Sequence, residues 1–284
     1  MDTPRPTVFS EPLGPEFSEA DIWEYRVKPL LVGASPNVIS LLTYCVTEMM
    51  NNANDHSGAG TVNVSIKVSE ETIDIQIADF GIGIFRNICN KLGLESERHA
   101  IFELTKGKVT TDPDRHTGEG IFFTSRMCDE FAILSGGLFL AHSQDEDWLL
   151  TSKPEETMTE GTFVKMEINR RTDRTTQEVF DRYLSGEEDD YAFRKTTVAV
   201  RLADEGNVLV SRSQAKRVMG RLERFTEVVL DFKDIAEIGP SFADEIFRVF
   251  RRSHPNVNIT AAHTNESVSR MIAKAASQAT EESR

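Results

Sequence analysis

Cysteine is scarce in this sequence, and what there is does not pair. Cys45, Cys89 and Cys128 lie far apart, with no CxxC spacing and no even-numbered framework. That excludes a disulfide scaffold and reads as reduced, mostly buried thiols of a cytoplasmic protein. No His or Cys pair sits at ligand spacing, which argues against a zinc site. No apolar run approaches the roughly 20 residues a membrane span requires. The opening MDTPRPTVFSEP lacks both the basic start and the apolar core of a secretion signal. Positive charge is short as well: 32 Lys plus Arg stand against 46 Asp plus Glu, a net charge of −14. Nucleic acid, whose nonspecific binding depends on neutralised phosphates, is therefore not an expected partner. The one basic run, RSQAKRVMGRLERF (Arg212–Phe225), reads as a solvated helix face.

What is present suggests about two domains for 284 residues. Residues 1–20, rich in Pro, Gly, Ser and Glu, read as an extended arm or a partly ordered tail, and EADIWEYRVKPLL from Glu19 as helical until Pro29. Ser35-Pro36 opens a helix from about Asn37 to His56, with apolar residues at Val38, Leu41, Leu42, Cys45, Val46, Met49 and Ala53. VNVSIKV and TIDIQIAD alternate as antiparallel strands about a Glu70-Glu71 turn. From Phe85 to His116 the pattern weakens, with one helix near Ser96–Leu104. The polar stretch KGKVTTDPDRHTGEG then reads as a lid. A helix over Gly120–Phe131 and strands FAILSGG, GLFLAHS, Trp148–Leu150 and Gly161–Ile168 follow. Together these predict one sheet under one helical layer.

The organising stretch is Thr47–Ile84. Glu48, Asn52 and His56 are spaced four apart, so they share a helix face, and Asp79 precedes Gly81 and Gly83 at a strand end. MgATP asks for such parts. Asn52 offers an amide oxygen to Mg²⁺, which takes one or two protein oxygens, and Glu48 can orient a water or hydroxyl. Asp79 can accept from the adenine amino group, with Gly81 and Gly83 leaving room for the base. Gly118 and Gly120 open a helix whose N-terminus can meet phosphates. Thr162 can steady Asp79 or a water at the base. Each part alone has an ordinary counterpart: a helix end, a turn, a loop before a helix.

Taken in order, E48-x-x-x-N52-A53-x-x-H56, D79-x-G81-x-G83, T117-G118-x-G120-I121 and G161-T162 resemble the N, G1, G2 and terminal GT boxes of the GHKL superfamily. That superfamily groups gyrase B, the ninety-kilodalton heat-shock chaperones, histidine kinases and MutL on the Bergerat fold. The resemblance covers about Asn37–Asn169 and implies ATP with Mg²⁺ under a closing lid. It makes Asn52 the metal ligand, Glu48 the general base and Asp79 the adenine acceptor. Lys106 and Lys108, ahead of the G2 box, could reach the phosphates or be solvated lid lysines. No His precedes the N-box helix, so the chain is not a complete histidine kinase in cis. The transducer lysine domain of gyrase and MutL is also absent.

Downstream, Glu227–Phe250 (EVVLDFKDIAEIGPSFADEIFRVF) resembles the central segment of STAS domains, and more closely the STAS-like domains fused to GHKL ATPases in bacteria. Alternating strands and helices over about 196–276 predict a small α/β domain. Ser241 falls near the STAS phosphoserine, but Ser241-x-x-Asp244 reads first as a helix cap, as does Ser211-x-x-Gln214.

The expected fold class is α/β: a two-layer Bergerat-type sandwich followed by a small STAS-like domain. The expected divisions are an arm and helix (1–36), the ATP-binding domain (37–172), a helical and acidic linker (173–195), the STAS-like domain (196–276) and a frayed tail (277–284). The expected function is a bacterial, cytoplasmic MgATP-binding regulator in signal transduction, whose nucleotide state controls the STAS-like domain. The alternative is a serine kinase of the anti-sigma type. A protein partner is expected through the STAS-like domain, a homodimer is allowed, and no membrane is involved.

Overall fold

The computed structural model describes residues 5–109, 118–144, 148–152, 160–185, 192–203 and 208–281. The chain forms two compact units, divided between Arg182 and Tyr183.

The first unit begins with β1 (Thr7–Pro12), then α1 (Glu19–Ile22), which runs on as a π turn (Trp23–Val27) and a 3₁₀ turn (Lys28–Leu30). The long α2 (Pro36–His56) follows, then β2 (Thr61–Val68) and β3 (Thr72–Asp79). Three shorter helices come next: α3 (Ile84–Leu92), α4 (Glu97–Lys106) and α5 (Gly120–Met127). β4 (Glu130–Ser135), β5 (Leu138–Ser143), β6 (Leu149–Ser152), β7 (Thr162–Asn169) and α6 (Thr176–Tyr183) complete the series. The seven strands form one antiparallel sheet in the order β1-β2-β3-β7-β4-β5-β6.

Period-2 burial gives that sheet one core face. Val62, Val64 and Ile66 of β2, Ile73, Ile75 and Ile77 of β3, and Val164, Met166 and Ile168 of β7 are all buried. Residues between them stay half-exposed, as in a sheet covered on one side. α2 turns the stripe Val38, Leu41, Leu42, Cys45, Val46, Met49, Met50 and Ala53 inward. Ser35 caps it, accepting from the Val38 N–H, and Pro36 sits at its first position.

Several elements differ from the sequence reading. The N-terminal arm is extended but paired: β1 lies along β2 from Thr7↔Ile66 to Pro12↔Thr61. The helical run from Glu19 passes through Pro29 by tightening into 3₁₀ geometry. The weak region hides α3, because one of its three buried residues is Asn87, whose amide donates to the His56 carbonyl. α5 ends at Met127 rather than Phe131, since Cys128 is already extended and Phe131 belongs to β4. Residues 110–117, the greater part of the expected lid, lie outside the described residues, as does most of the acidic stretch 185–191.

The second unit opens on the hairpin β8 (Leu184–Ser185) and β9 (Ala192–Phe193). It continues through β10 (Lys195–Ala199), β11 (Val208–Leu209), α7 (Arg212–Met219), β12 (Glu227–Asp231) and β13 (Glu237–Ile238). α8 (Pro240–Asp244) runs through a π segment (Glu245–Phe250) into α9 (Arg251–Ser253), before β14 (Asn258–Ala262) and α10 (Glu266–Glu281). β10, β12 and β14 make a parallel sheet with β12 in the middle, and β11 pairs with β13.

The two expected caps separate here. Ser211 forms a full capping box: its hydroxyl accepts from the Gln214 N–H, and the Gln214 side chain accepts from the Ser211 N–H. Ser241 does not cap. The helix starts two residues earlier than such a cap requires, at Pro240, pre-shaped for a first helical position, with Gly239 as N-cap and no side-chain bond there. Ser241 stands inside the first turn, exposed.

Cys45 and Cys128 are buried and Cys89 is half-buried, all as free thiols. Among the described residues no helix is long and apolar enough to cross a membrane. No group of three His, Cys, Asp or Glu among them could hold a metal ion.

Ser211→Ala should cost the second unit about 1 kcal/mol, read as a lowered urea midpoint, with Ser211→Thr recovering most of it. An unchanged midpoint for Ser211→Ala would show the box to be energetically idle.

Candidate functional site

A cleft of about 260 Å³ opens between α2, the ends of β3 and β7, and the start of α5. Glu48, Asn52, His56, Asp79, Gly118 and Gly120 all line it, with Thr162 beside Asp79. The spacing read from the sequence therefore converges in space. Apolar side chains from Ile77, Ile84, Ile88 and Leu104 fill in between.

Asp79 is the anchor. It is only 5% exposed. One of its oxygens accepts from the Gly81 N–H at 2.9 Å, an Asx turn that bends the chain out of β3. Thr162 faces it across the β3–β7 ladder. Its hydroxyl donates to the Asp79 carboxylate and accepts from the Ile84 N–H at 3.0 Å. Burial pushes the Asp79 carboxyl above its ordinary value, and the Gly81 and Thr162 hydrogen bonds pull part of the way back. Of the two expected roles of Thr162, beside Asp79 or beside a water at the base, the hydrogen bond shown is the one to Asp79.

The glycines act differently from the expectation. Gly81 and Gly83 do not line the cleft, and the space they vacate is taken by protein. A side chain on Gly81 would meet the Ser57 carbonyl at 2.0 Å, the same carbonyl that accepts from the Ile82 N–H. Gly83, at φ +86°, would press on the Ser135 hydroxyl, which itself donates to the Gly161 carbonyl. Gly161, at φ +78°, would drive a methyl to 2.0 Å from the Asp79 carbonyl. These glycines let three loops close around Asp79; they make no room for a base. Ser57, Asn87 and Ser135 escaped the sequence reading. The signal for Asn87 was one polar residue on the buried face of α3.

At the far end, Gly120 starts α5 against Glu48: a methyl there would lie 2.0 Å from the Glu48 carboxylate. The missing side chain lets an acid on α2 reach the positive end of α5. Burial, and after it Glu48, Cys45 and Glu119, raise the Tyr44 hydroxyl well above its usual pKa. Gly118, at φ +76°, packs on Val109, whose N–H donates to the Gly118 carbonyl, tying together the two ends of segment 110–117.

Asn52 carries a buried amide nitrogen with no hydrogen-bond partner among the described atoms. A half-turn of that amide exchanges its nitrogen and oxygen. An orphan of this kind beside Glu48, one turn away, fits a cation that takes one or two protein oxygens and fills the rest from phosphate and water.

Lys106 is placed elsewhere than expected. It is 1% exposed, held by Glu103 at 2.7 Å and lying over the Phe102 ring, and it does not line the cleft. Burial alone would raise the Glu103 carboxyl, but hydrogen bonds from His99 and Lys106 outweigh it and hold it low. Lys108 takes the left-handed backbone conformation, at φ +56°.

Two families account for parts of this chain. Residues 29–139 match the histidine kinase-like ATPase domain, and residues 214–269 match a STAS-like domain of unknown function. No curated protein matches the chain. The first match stops short of Gly161 and Thr162, which join the site through the sheet alone.

Two outcomes follow from this packing. Gly161→Ala should lose about 3 kcal/mol or more, since backbone strain and overlap with a fixed carbonyl combine. Gly120→Ala meets only the movable end of Glu48 and should lose less than about 1 kcal/mol. Urea unfolding separates them, and equal losses would contradict the geometry. For Asp79, the raised folded pKa favours the acid form in the native state. Its contribution to stability is full below the unfolded pKa and is lost as pH rises through the folded one. At neutral pH the buried charge therefore costs stability. Nucleotide-free Asp79→Asn should be more stable than wild type at neutral pH, with the gap closing as pH falls below the ordinary carboxylate range. A gap that widens on acidification would contradict the assignment.

Proposed function

Since the chain carries a histidine kinase-like ATPase domain followed by a STAS-like domain, we propose that it is a MgATP-dependent regulator whose nucleotide state sets how the STAS-like domain engages a protein partner. The ATPase domain implies ATP binding. In this reading Asp79 accepts from the adenine amino group, selecting adenine because a buried acceptor left unpaired is costly. Asn52 and Glu48 would hold Mg²⁺, which would neutralise phosphate charge. The backbone N–H groups at Gly118–Gly120 receive phosphate oxygens. Glu48 orients the attacking water or hydroxyl, and turnover is slow.

The observation that carries the regulatory half is the place of Phe180. This α6 side chain makes edge contacts with Tyr44 of α2, at 5.5 Å, and with Phe123 of α5, at 4.9 Å. Tyr44 lies one turn before Glu48, and Phe123 lies one turn after Gly120. Any shift of α5 against α2 on nucleotide binding therefore acts on α6, the helix by which the chain leaves the ATPase unit. A ring packed against two others, one on each helix, resists gradual deformation, so such a shift favours discrete arrangements.

A second reading rests on Ser241. Its hydroxyl is exposed in the first turn of α8 and takes no capping role, which leaves it open to a serine kinase activity of this chain or of another. Acid-stable phosphoserine that disappears in Glu48→Ala is its signature.

Titrating ATP with and without Mg²⁺ tests the site. Asp79→Asn should weaken binding about 10- to 100-fold under both conditions, as an unpaired buried group does. Asn52→Ala should weaken chiefly the Mg²⁺-dependent part. Unchanged tight binding in both variants sinks the pocket assignment. Phe180→Ala should keep ATP affinity yet remove ATP-dependent changes in amide exchange of residues 208–281. If those changes persist, the α6 route is wrong.

A further inference from the structure

Two of the three thiols that lie far apart in sequence meet in the fold of the first unit. Cys45 belongs to the inward stripe of α2, and Cys128 is the extended residue at which α5 ends. Both are fully buried, and their sulfurs lie 3.9 Å apart. The Cys128 S–H donates to the Cys45 sulfur, and the Cys45 S–H donates to the Thr124 carbonyl at 4.0 Å. Cys89, half-buried on α3, has a carbonyl for its partner, that of Leu94 at 3.3 Å.

The pair sits between the two helices that form the cleft. On α2, Cys45 comes one turn before Glu48 and Met49, which line it. On α5, Gly120 lies against the Glu48 carboxylate at one end, and Cys128 meets Cys45 at the other. α5 therefore touches α2 at both its ends. Beyond α5 the chain is fixed: Gln144 donates to the Cys128 carbonyl at 2.8 Å, and Asp129 pairs with Arg174 and donates its N–H to the Glu167 carbonyl. A covalent bond between the two sulfurs would join α2 to this fixed point and remove the freedom of α5 to shift there.

Burial decides when such a bond forms. It pushes the Cys128 thiol well above its ordinary pKa, and the thiolate is the reactive form. With both sulfurs enclosed, a reagent reaches them only as α5 lifts from α2. Once one sulfur has reacted, an approach of about 2 Å brings the pair to bonding distance. As packing, a buried thiol is a small hydrophobe; two in contact add a chemistry that other small apolar residues lack.

We propose that Cys45 and Cys128 form a reversible disulfide at the expense of a hydroperoxide, and that this bond holds α5 in its present contact with α2 and weakens MgATP binding. The effect on binding rests on the ATP reading of the cleft; the bond itself does not. One sulfur attacks the peroxide, the O–O bond breaks, and an alcohol or water leaves. The other sulfur attacks the sulfenic acid so formed, the S–O bond breaks, and water leaves. Both thiol protons depart in these products, the two sulfurs are oxidised, and the peroxide is reduced.

The full chain is treated with hydrogen peroxide, its remaining thiols are alkylated, and MgATP affinity is measured on the same samples. A peptide pair joined through Cys45 and Cys128 should appear in mass spectra without reductant and vanish with dithiothreitol. Joined protein should bind MgATP about 10-fold more weakly than reduced protein, and dithiothreitol should restore the affinity. Neither Cys45→Ala nor Cys128→Ala should respond to peroxide in this way. By reciprocity, saturating MgATP in a glutathione buffer should shift the pair toward the dithiol by the same factor. Free thiols at both positions after Cys89 has been oxidised, a bond made to Cys89 instead, or equal affinity in joined and reduced protein each overturns the proposal. If the reduced chain binds no ATP, it is the ATP reading that fails. The cross-link, and slower amide exchange over Gly120–Met127 in joined protein, then decide the disulfide, and the absence of either overturns it.

Discussion

The buried carboxylate of Asp79 is the constraint around which the first unit is arranged. Taking a charge out of water is costly unless hydrogen bonds and shape compensate for it. Here the Gly81 N–H and the Thr162 hydroxyl supply the bonds. Thr162 can do so because β3 and β7 are register-locked neighbours. That pairing in turn requires Gly161, whose absent side chain leaves the Asp79 carbonyl its place. Ser135 then holds Gly161, and Gly83 leaves space for Ser135. One acid thus explains a set of small residues scattered over some eighty positions of sequence. A carboxyl kept above its ordinary pKa by burial, lining a cleft, is the kind of group that gathers at working sites at a cost in stability.

Much of this was legible in the sequence, for reasons that can be named. The stripe on α2 and the alternation of β2, β3 and β7 are strong periodic signals over long elements, and their burial follows the pattern. Because a helix repeats every 3.6 residues, residues four apart share a face, so Glu48, Asn52 and His56 could be placed together. Legibility failed where tertiary contacts decide. β1 carries no strong alternation, and its partner strand defines it. α3 buries an Asn whose acceptor, the His56 carbonyl, lies outside its own segment. Lys106, expected either at the phosphates or in solvent, is at neither place, because packing buries it with Glu103, three residues earlier. Gly81 and Gly83 were assigned to the ligand because a glycine in sequence announces close approach without saying of what. Ser241 failed as a cap because Pro240 claimed the first helical position and moved the cap back to Gly239.

Electrostatics sets the last condition on the proposed chemistry. No Lys or Arg stands among the described residues lining the cleft, while Glu48 and Asp79 both do. Lys106 is held by Glu103 away from it. A triphosphate brings further negative charge into a chain already at −14. Backbone N–H groups at the start of α5 supply only fractional positive charge, about half a unit for a helix end, and Glu48 already lies against that end. Two anions cannot share it without a counter-charge. In the proposed reading a divalent cation held by Asn52 and Glu48 would resolve the conflict, since the acid at the helix end would then be a ligand and no longer a competitor of the nucleotide. On this argument Mg²⁺ would strengthen triphosphate binding as well as aid turnover. The contact between Glu48 and Gly120 is then the element whose rearrangement on binding would be felt first by Tyr44, Phe123 and Phe180.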